Sequence, residues 1–277
     1  MPDPTETAAL RDRAGFATVE VHPQIASTME RARELAADAD AALPAVVMAD
    51  RQTAGRGRQG ASWWQAEGSL AVSIVVDDQA VGVPVQPTWS LACGLALAEA
   101  ITTLEPTVEP QVKWPNDLTV GGRKIAGILL ETAPAGRTIL GIGVNTTGAV
   151  ADAPAPLRDR LTTLPDLTGR SLPQADLLVE FLPRFLALVR QMHAAPEVLV
   201  DRYRVRCGLT GQPVTVYRGA EQIVGVCAGI AVDGSLVVDT ATGRQWITSG
   251  SLTAPPTHTP PGRQSRAGEP GAENPRL

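Results

Sequence analysis

Residues 112–131, VKWPNDLTVGGRKIAGILLE, constrain the fold more than any other stretch of this chain. Val112 to Trp114 is strand-forming, and Pro115 stops the strand because proline lacks the ladder donor. Asn116 and Asp117 suit a turn. Leu118 to Val120 and Arg123 to Glu131 flank Gly121-Gly122, a pair that accepts the positive φ angles of a tight hairpin. The second arm carries Ile125, Ile128, Leu129 and Leu130 and is apolar enough to be a central strand. Lys124 at its start needs an anion nearby, from the protein or from a ligand, because a lone desolvated ammonium is costly. Gly127 allows close approach to the backbone.

The surrounding chain supplies layers for that hairpin. Ala17 to His22 alternates like a first strand. Ser27 and Glu30 have capping-box spacing and open a helix through RARELAADA. Ala45 to Ala49 reads as a short buried strand, and Ser69 to Val76 as a longer one. Trp89 to Leu104 is an Ala- and Leu-rich helix in which Gly94 permits close packing. Thr138 to Asn145, TILGIGVN, is another buried strand. Residues 146–170 are rich in Ala, Pro, Asp and Thr and are expected to be irregular and exposed. Leu177 to Met192 is a helix with Leu178, Phe181, Leu182, Phe185, Leu188 and Val189 on its apolar face. Pro183 is expected in its first turns. A short helix follows around Val198 to Val205. From Gly211 to Leu252 short β-like runs separated by glycine turns predict a small SH3-like β barrel.

These elements predict strands and helices followed by a small all-β module. The expected organisation is a flexible N-terminus over 1–16, a catalytic domain over 17–206, the SH3-like module over 207–253 and a disordered tail over 254–277.

Between the second and third strands lies Arg51 to Trp64, RQTAGRGRQGASWW. Gly55, Gly57 and Gly60 interleave with Arg56 and Arg58. Arginine presents a planar, always-charged fork suited to phosphate or carboxylate. Such a loop suits gripping an anion, and equally an RGG-like nucleic-acid segment. Composition adds a second pointer. Of 24 basic residues only Lys113 and Lys124 are lysines. Asparagine is also scarce, with Asn116, Asn145 and one tail residue. A general composition bias explains the scarcity. It also draws the eye to the few positions where these residues persist. For Lys113 a structural ion pair and a ligand contact are both open.

Several chemistries are set aside. The net charge of −5 argues against a general surface for duplex nucleic acid. No apolar run is long enough to span a membrane, and the N-terminus lacks a signal-peptide h-region. Cys93, Cys207 and Cys227 lack metal-ligand spacing and read as small hydrophobes in a reducing, cytoplasmic setting. His22, His193 and His258 sit in no nucleophile motif. GRGRQGAS is followed by no GK[ST], and no GxGxxG opens a helix after a strand. What remains is a basic glycine loop, two isolated lysines and an Asn-Asp turn. That set suits activation of a carboxylate by a nucleotide, where positioning and charge stabilisation dominate.

GRGRQG with a following Trp, then KWPNDL, RKIAGILLE and GIGVN, in this order and spacing, resembles the biotin–protein ligase family. The resemblance spans roughly Ala17 to Leu252. It implies an α+β catalytic fold, with a mixed sheet and helices, like that of class II aminoacyl-tRNA synthetases. It further implies formation of biotinyl-5′-AMP from biotin and MgATP, then transfer of biotin to a lysine of a biotin carboxyl carrier domain of a biotin-dependent carboxylase. Ser27, Thr28 and Gln52 would contact the biotin ring. Gly55, Arg56, Gly57 and Arg58, with Trp63, would form a lid over biotin and the adenylate phosphate. Lys124 would neutralise the carboxylate and the charge developing on the α-phosphate, and Gly127 would lie against biotin. Asn116 and Asp117 would sit beside the adenylate and Asn145 near the nucleotide. Lys124, Arg58 and Asp117 are thus the expected catalytic group, with no protein-bound metal beyond the Mg2+ that accompanies ATP.

Two positions depart from the family pattern. Met29 stands where an Asn is common, and Ala61 where a further loop Arg is usual. Only about 16 residues precede the first strand, too few for the DNA-binding domain some members carry. The competing expectations are a lipoate–protein ligase, which KWPND and the β module disfavour, and a nucleic-acid-binding module, which the acidic charge disfavours.

Overall fold

The computed structural model describes residues 4–253. Helix α1 (Pro4–Asp12) leads into β1 (Thr18–Ile25), α2 (Thr28–Ala37) and β2 (Ala45–Gln52). Then come β3 (Leu70–Asp77), the single turn α3 (Asp78–Val81) and α4 (Trp89–Leu104). Strands β4 (Gln111–Lys113), β5 (Asp117–Val120), β6 (Arg123–Thr132) and β7 (Arg137–Val144) follow. Helices α5 (Leu164–Thr168), α6 (Gln174–Ala194) and α7 (Glu197–Arg206) precede a second set of strands. These are β8 (Pro213–Arg218), β9 (Glu221–Ile230), β10 (Leu236–Thr240), β11 (Gly243–Ile247) and β12 (Ser251–Thr253).

The first seven strands form one sheet in the order β1-β2-β3-β7-β6-β5-β4. β1 and β2 run parallel, which requires a crossover, and α2 supplies it. The remaining neighbours are antiparallel. The hairpin β5–β6 turns at Gly121 and Gly122, with φ of 57° and 77°, as its sequence requires. Met29, Ala32, Leu35 and Ala36 of α2 cover one face of the sheet over Ala45, Val47, Val75 and Ile139. The other face carries α4 and α7, and α6 packs on α4. Trp89 and Phe185 meet edge to face there, 5.7 Å apart, and Phe181 stacks on Phe185. Each such fully buried apolar side chain contributes about 1.5–3 kcal/mol. A Cβ on Gly94 would lie 3.4 Å from Val112 and 3.5 Å from Ile128, ordinary contact distances, so the packing of α4 on the hairpin does not depend on a glycine there.

The last five strands form an antiparallel sheet in the order β11-β10-β9-β8-β12. Trp114 reaches it directly, donating Nε1–H to the Gly234 carbonyl at 3.1 Å. The all-β module is thus anchored on the strand that leads into the Asn116-Asp117 turn.

Four expectations are corrected. Within the N-terminal 1–16, expected to be flexible, residues 4–12 form α1, and Leu10, Ala14 and Phe16 are buried. Helix α1 packs on α6 and β1, which short-range patterning does not reveal. Ser27 stands at the N-terminus of α2 but makes no side-chain cap, so the capping box is not formed. Pro183 lies mid-helix in α6 rather than in its first turns. In 146–170, Thr162, Thr163 and Leu164 are buried and α5 forms. The expected disordered tail over 254–277 lies outside the described residues.

Candidate active site

The site opens beside the antiparallel strands at the middle of the large sheet. A cavity of about 400 Å³ is bounded by α2, the 52–63 loop, the Trp114–Asp117 turn, β6, β7 and the loop before β12. A second cavity of about 320 Å³ adjoins it, walled by Trp64, Asn145 and residues 157–161.

At one end Thr28 and Gln52 meet. The Thr28 N–H, at the mouth of α2, donates to Gln52 Oε1 at 2.9 Å. The Thr28 hydroxyl donates to the same oxygen at 3.2 Å and accepts from Ser73 Oγ at 2.8 Å. This pair presents polar atoms beside the apolar part of the cavity, which is lined by Val72, Ile128, Leu129 and Ile142. Met29 also lines it, with its sulfur 2.7 Å from where a Cβ on Gly141 would stand. The departure from Asn therefore makes this wall more apolar.

The glycine-arginine loop folds back on itself. The Gly57 N–H donates to the Ala61 carbonyl at 2.7 Å, and the Trp63 N–H to the Gly55 carbonyl at 3.1 Å. This closure carries the Trp63 ring onto the sheet. A Cβ on Gly143 would be 2.4 Å from the ring, so a glycine is required there where the indole lies, and one on Gly127 would crowd Lys124 at 3.0 Å and the ring at 3.1 Å. Arg58 extends further. It donates to Asn116 Oδ1 at 3.0 Å and to the Gly250 carbonyl at 3.4 Å. Asn116 is in turn locked to β6, its Nδ2 donating to the Ile128 carbonyl at 2.8 Å and its own carbonyl accepting the Ile128 N–H at 2.9 Å. One guanidinium thus ties the loop to the turn and to the all-β module.

Lys124 has found its anion. Its ammonium lies 2.6 Å from Asp117 Oδ1 and 5.5 Å from the centre of the Trp63 ring. Lys124 and Asp117 line both cavities and lie on their boundary. Lys113 lines both as well, without an ion-pair partner among the described residues, so the structural ion pair belongs to Lys124 instead. Burial lowers the pKa of Lys113, and the charges of Lys124 and Arg160 push the same way against Asp117.

The expected site residues separate as follows. Thr28, Gln52, Arg56, Gly57, Arg58, Trp63, Asn116, Asp117, Lys124 and Gly127 converge on the first cavity. Ser27 is buried outside its lining, and Gly55 faces the Gln52 side chain rather than the cavity. Asn145 lines the second cavity and donates to the Thr162 carbonyl at 2.9 Å. Sequence reasoning missed Arg160, Gly143 and the Gly250-Ser251 corner. Arg160 sits in a segment without periodicity, and the other two owe their place to residues distant in sequence.

The Biotin/lipoate A/B protein ligase family matches residues 21–146, and the Biotin protein ligase C terminal domain matches residues 209–251. A biotin--[acetyl-CoA-carboxylase] ligase of Mycobacterium tuberculosis is 34% identical over 249 residues, covering 85% of this chain and 90% of that protein. The chain belongs to the biotin protein ligase family. A second member, from Paracoccus denitrificans, is 31% identical and covers 73% of this chain and 86% of its own length. Among solved structures, the biotin protein ligase of Aquifex aeolicus in complex with biotin and ATP superposes with a TM-score of 0.75 at 27% identity. That match covers 87% of this chain and all of the other. Membership accounts for the α+β fold with its C-terminal antiparallel module. No helix among the described residues is long and apolar enough to cross a membrane.

Proposed function

We propose that this chain is an ATP-dependent biotin ligase. It joins biotin to AMP as biotinyl-5′-AMP, releasing pyrophosphate, and then passes the biotinyl group to a lysine of the biotin carboxyl carrier domain of a carboxylase, releasing AMP. The observation that carries this reading is the Lys124–Asp117 pair on the boundary of two cavities, roofed by Trp63 and the arginine loop. One cavity has an apolar stretch between the polar Thr28–Gln52 end and the charged Lys124–Asp117 end, as a bicyclic ureido ligand with an alkyl chain and a carboxylate requires. The other, with Asn145 in its wall, suits the nucleotide.

Each residue then has a task. Thr28 and Gln52 hold the ureido edge by exchanging their mutual hydrogen bonds for bonds to ligand. Gly127 and Gly143 keep the Trp63 ring against the sheet. Lys124 leaves Asp117 for the biotin carboxylate and the α-phosphate, where it offsets charge that grows in the transition state. Asp117, released, is placed to take a proton from the incoming lysine ammonium. Gly55, Arg56, Gly57 and Arg58 close over the adenylate. Mg2+ enters with the substrate, as MgATP. The proposed setting is the cytoplasm.

The direct test is incubation with biotin and MgATP followed by mass spectrometry. Biotinyl-5′-AMP is the expected product, and lipoate in excess should displace little of it. Preferential formation of lipoyl-AMP would overturn the biotin assignment.

The lid assignment has its own test. Arg58→Gly removes the bonds to Asn116 and Gly250 that hold the loop down. Biotinyl-AMP should then escape and label lysines of an unrelated bystander protein, seen on an avidin blot. A variant that retains its adenylate as the wild type does would show that this arginine does not hold the lid.

A further inference from the structure

The cysteines stand in different surroundings. Cys93 lies inside α4, fully buried, and burial raises the pKa of its thiol. Cys207 and Cys227 are a pair. Cys207 follows the last residue of α7 and is half-buried. Cys227 is buried in β9, opposite Val238 of β10. The turn after α7 brings the two together. The Gly211 N–H donates to the Cys227 carbonyl at 2.7 Å, and the Cys227 N–H to the Gln212 carbonyl at 2.9 Å. These bonds lay the turn along β9, and the two thiols are hydrogen-bonded to each other.

The two sulfurs are chemically unequal. Cys207 Sγ accepts from the Cys227 thiol, from the Thr210 hydroxyl and from the Leu209 N–H at 3.4 Å. These donors favour the thiolate and lower the pKa of Cys207, against burial. The same contact, with burial, raises the pKa of Cys227. Tyr203, the other titratable side chain against Cys207, is buried with its own pKa raised and stays a neutral phenol. A nucleophilic sulfur partly open to solvent therefore rests on a buried thiol. The pair also sits at a junction, because α7 packs on both β4 and β9. Two hydrogen bonds tie the module to the site itself, from Trp114 to the Gly234 carbonyl and from Arg58 to the Gly250 carbonyl.

We propose that Cys207 and Cys227 form a thiol–disulfide site that hydrogen peroxide closes, clamping the all-β module to the catalytic domain. The Cys207 thiolate attacks one peroxide oxygen and the O–O bond breaks. That oxygen stays on sulfur as a sulfenic acid, and the other leaves as hydroxide, which takes a proton from water. The Cys227 sulfur then bonds to Cys207 Sγ, the S–O bond breaks, and the Cys227 proton departs with the hydroxyl as a second water. The two sulfurs lose two electrons and the peroxide gains them. A dithiol reductant reverses the closure.

The experiment treats the full chain with hydrogen peroxide, blocks free thiols and maps tryptic peptides by mass spectrometry without reductant. Cleavage after Arg206, Arg218 and Arg244 places the two cysteines on separate peptides, 207–218 and 219–244. The expected product joins these two peptides with the loss of two hydrogens, reverts with dithiothreitol and leaves Cys93 a free thiol. Before oxidation, iodoacetamide should modify Cys207 about tenfold or more faster than Cys93. In Cys227→Ala, which lacks the second thiol, peroxide should leave Cys207 as a sulfenic acid that dimedone captures. The cross-linked wild type should melt about 5 °C or more above the reduced protein. Peptides that stay unlinked, or that link only between molecules, would overturn the site. Cys207 no more reactive than Cys93 would do the same. A cross-linked protein with an unchanged melting temperature would refute the clamp. Should Cys227→Ala not fold, the wild-type peptide map and melting curves decide the matter alone.

Discussion

Lys124→Ala slows biotinyl-AMP formation about a hundred- to a thousandfold, the loss expected when one charge-stabilising donor is removed from a closed site. The ammonium is held 2.6 Å from Asp117 and 5.5 Å from the centre of the Trp63 ring, on the boundary of the two cavities. The substitution also strands a half-buried carboxylate, which lowers stability as well as rate. The two effects separate in the double variant Lys124→Met/Asp117→Asn. Thermal stability should return toward wild type there, while single-turnover adenylate formation stays slow. Recovery of the rate together with stability would show that Lys124 serves the fold and not the chemistry.

Gly143→Ala weakens biotin binding about tenfold or more, because overpacking a filled site costs about 1–3 kcal/mol. The added Cβ would stand 2.4 Å from Cζ2 of Trp63 and 2.5 Å from its Cε2, distances no real contact sustains. Gly143 sits between Gly127 and Ala71 in the sheet, so the backbone has little room to yield. The indole must lift, taking the arginine loop with it. Calorimetric titration with biotin measures the loss. A double-mutant cycle with Trp63→Ala then assigns the cause. With the ring gone, the extra methyl should cost almost nothing further. An undiminished cost in that background would mean the effect travels through the sheet rather than through Trp63.

Much of this was legible where short-range chemistry decides. Gly121-Gly122 between two apolar arms fixes the β5–β6 hairpin because few dipeptides accept its φ angles. The long apolar face of α6 could only be buried. Motifs in the loop and turn named the residues that converge on the first cavity, although the sequence cannot say that Arg58 would bond Asn116 58 positions away. What stayed hidden depends on partners distant in the chain. Helix α1 orders only because Leu10 and Phe16 find a covered surface. The Thr162 and Thr163 pair looks like exposed linker until it closes against Lys124 and Asn145. Gly143 carries no local turn signal, since its need for a bare Cα comes from a ring 80 positions earlier. Arg160 is one arginine among many until the bridge at Lys124 places it on the boundary of both cavities.

The central claim is that one chain activates biotin and delivers it to a protein lysine. It is tested most directly by incubating the wild type with a purified biotin carboxyl carrier domain, biotin and MgATP, and probing the carrier with avidin. Labelling that requires both small molecules, and that disappears when the acceptor lysine is replaced, is the predicted result. An unlabelled carrier that another biotin ligase labels readily under the same conditions would contradict it.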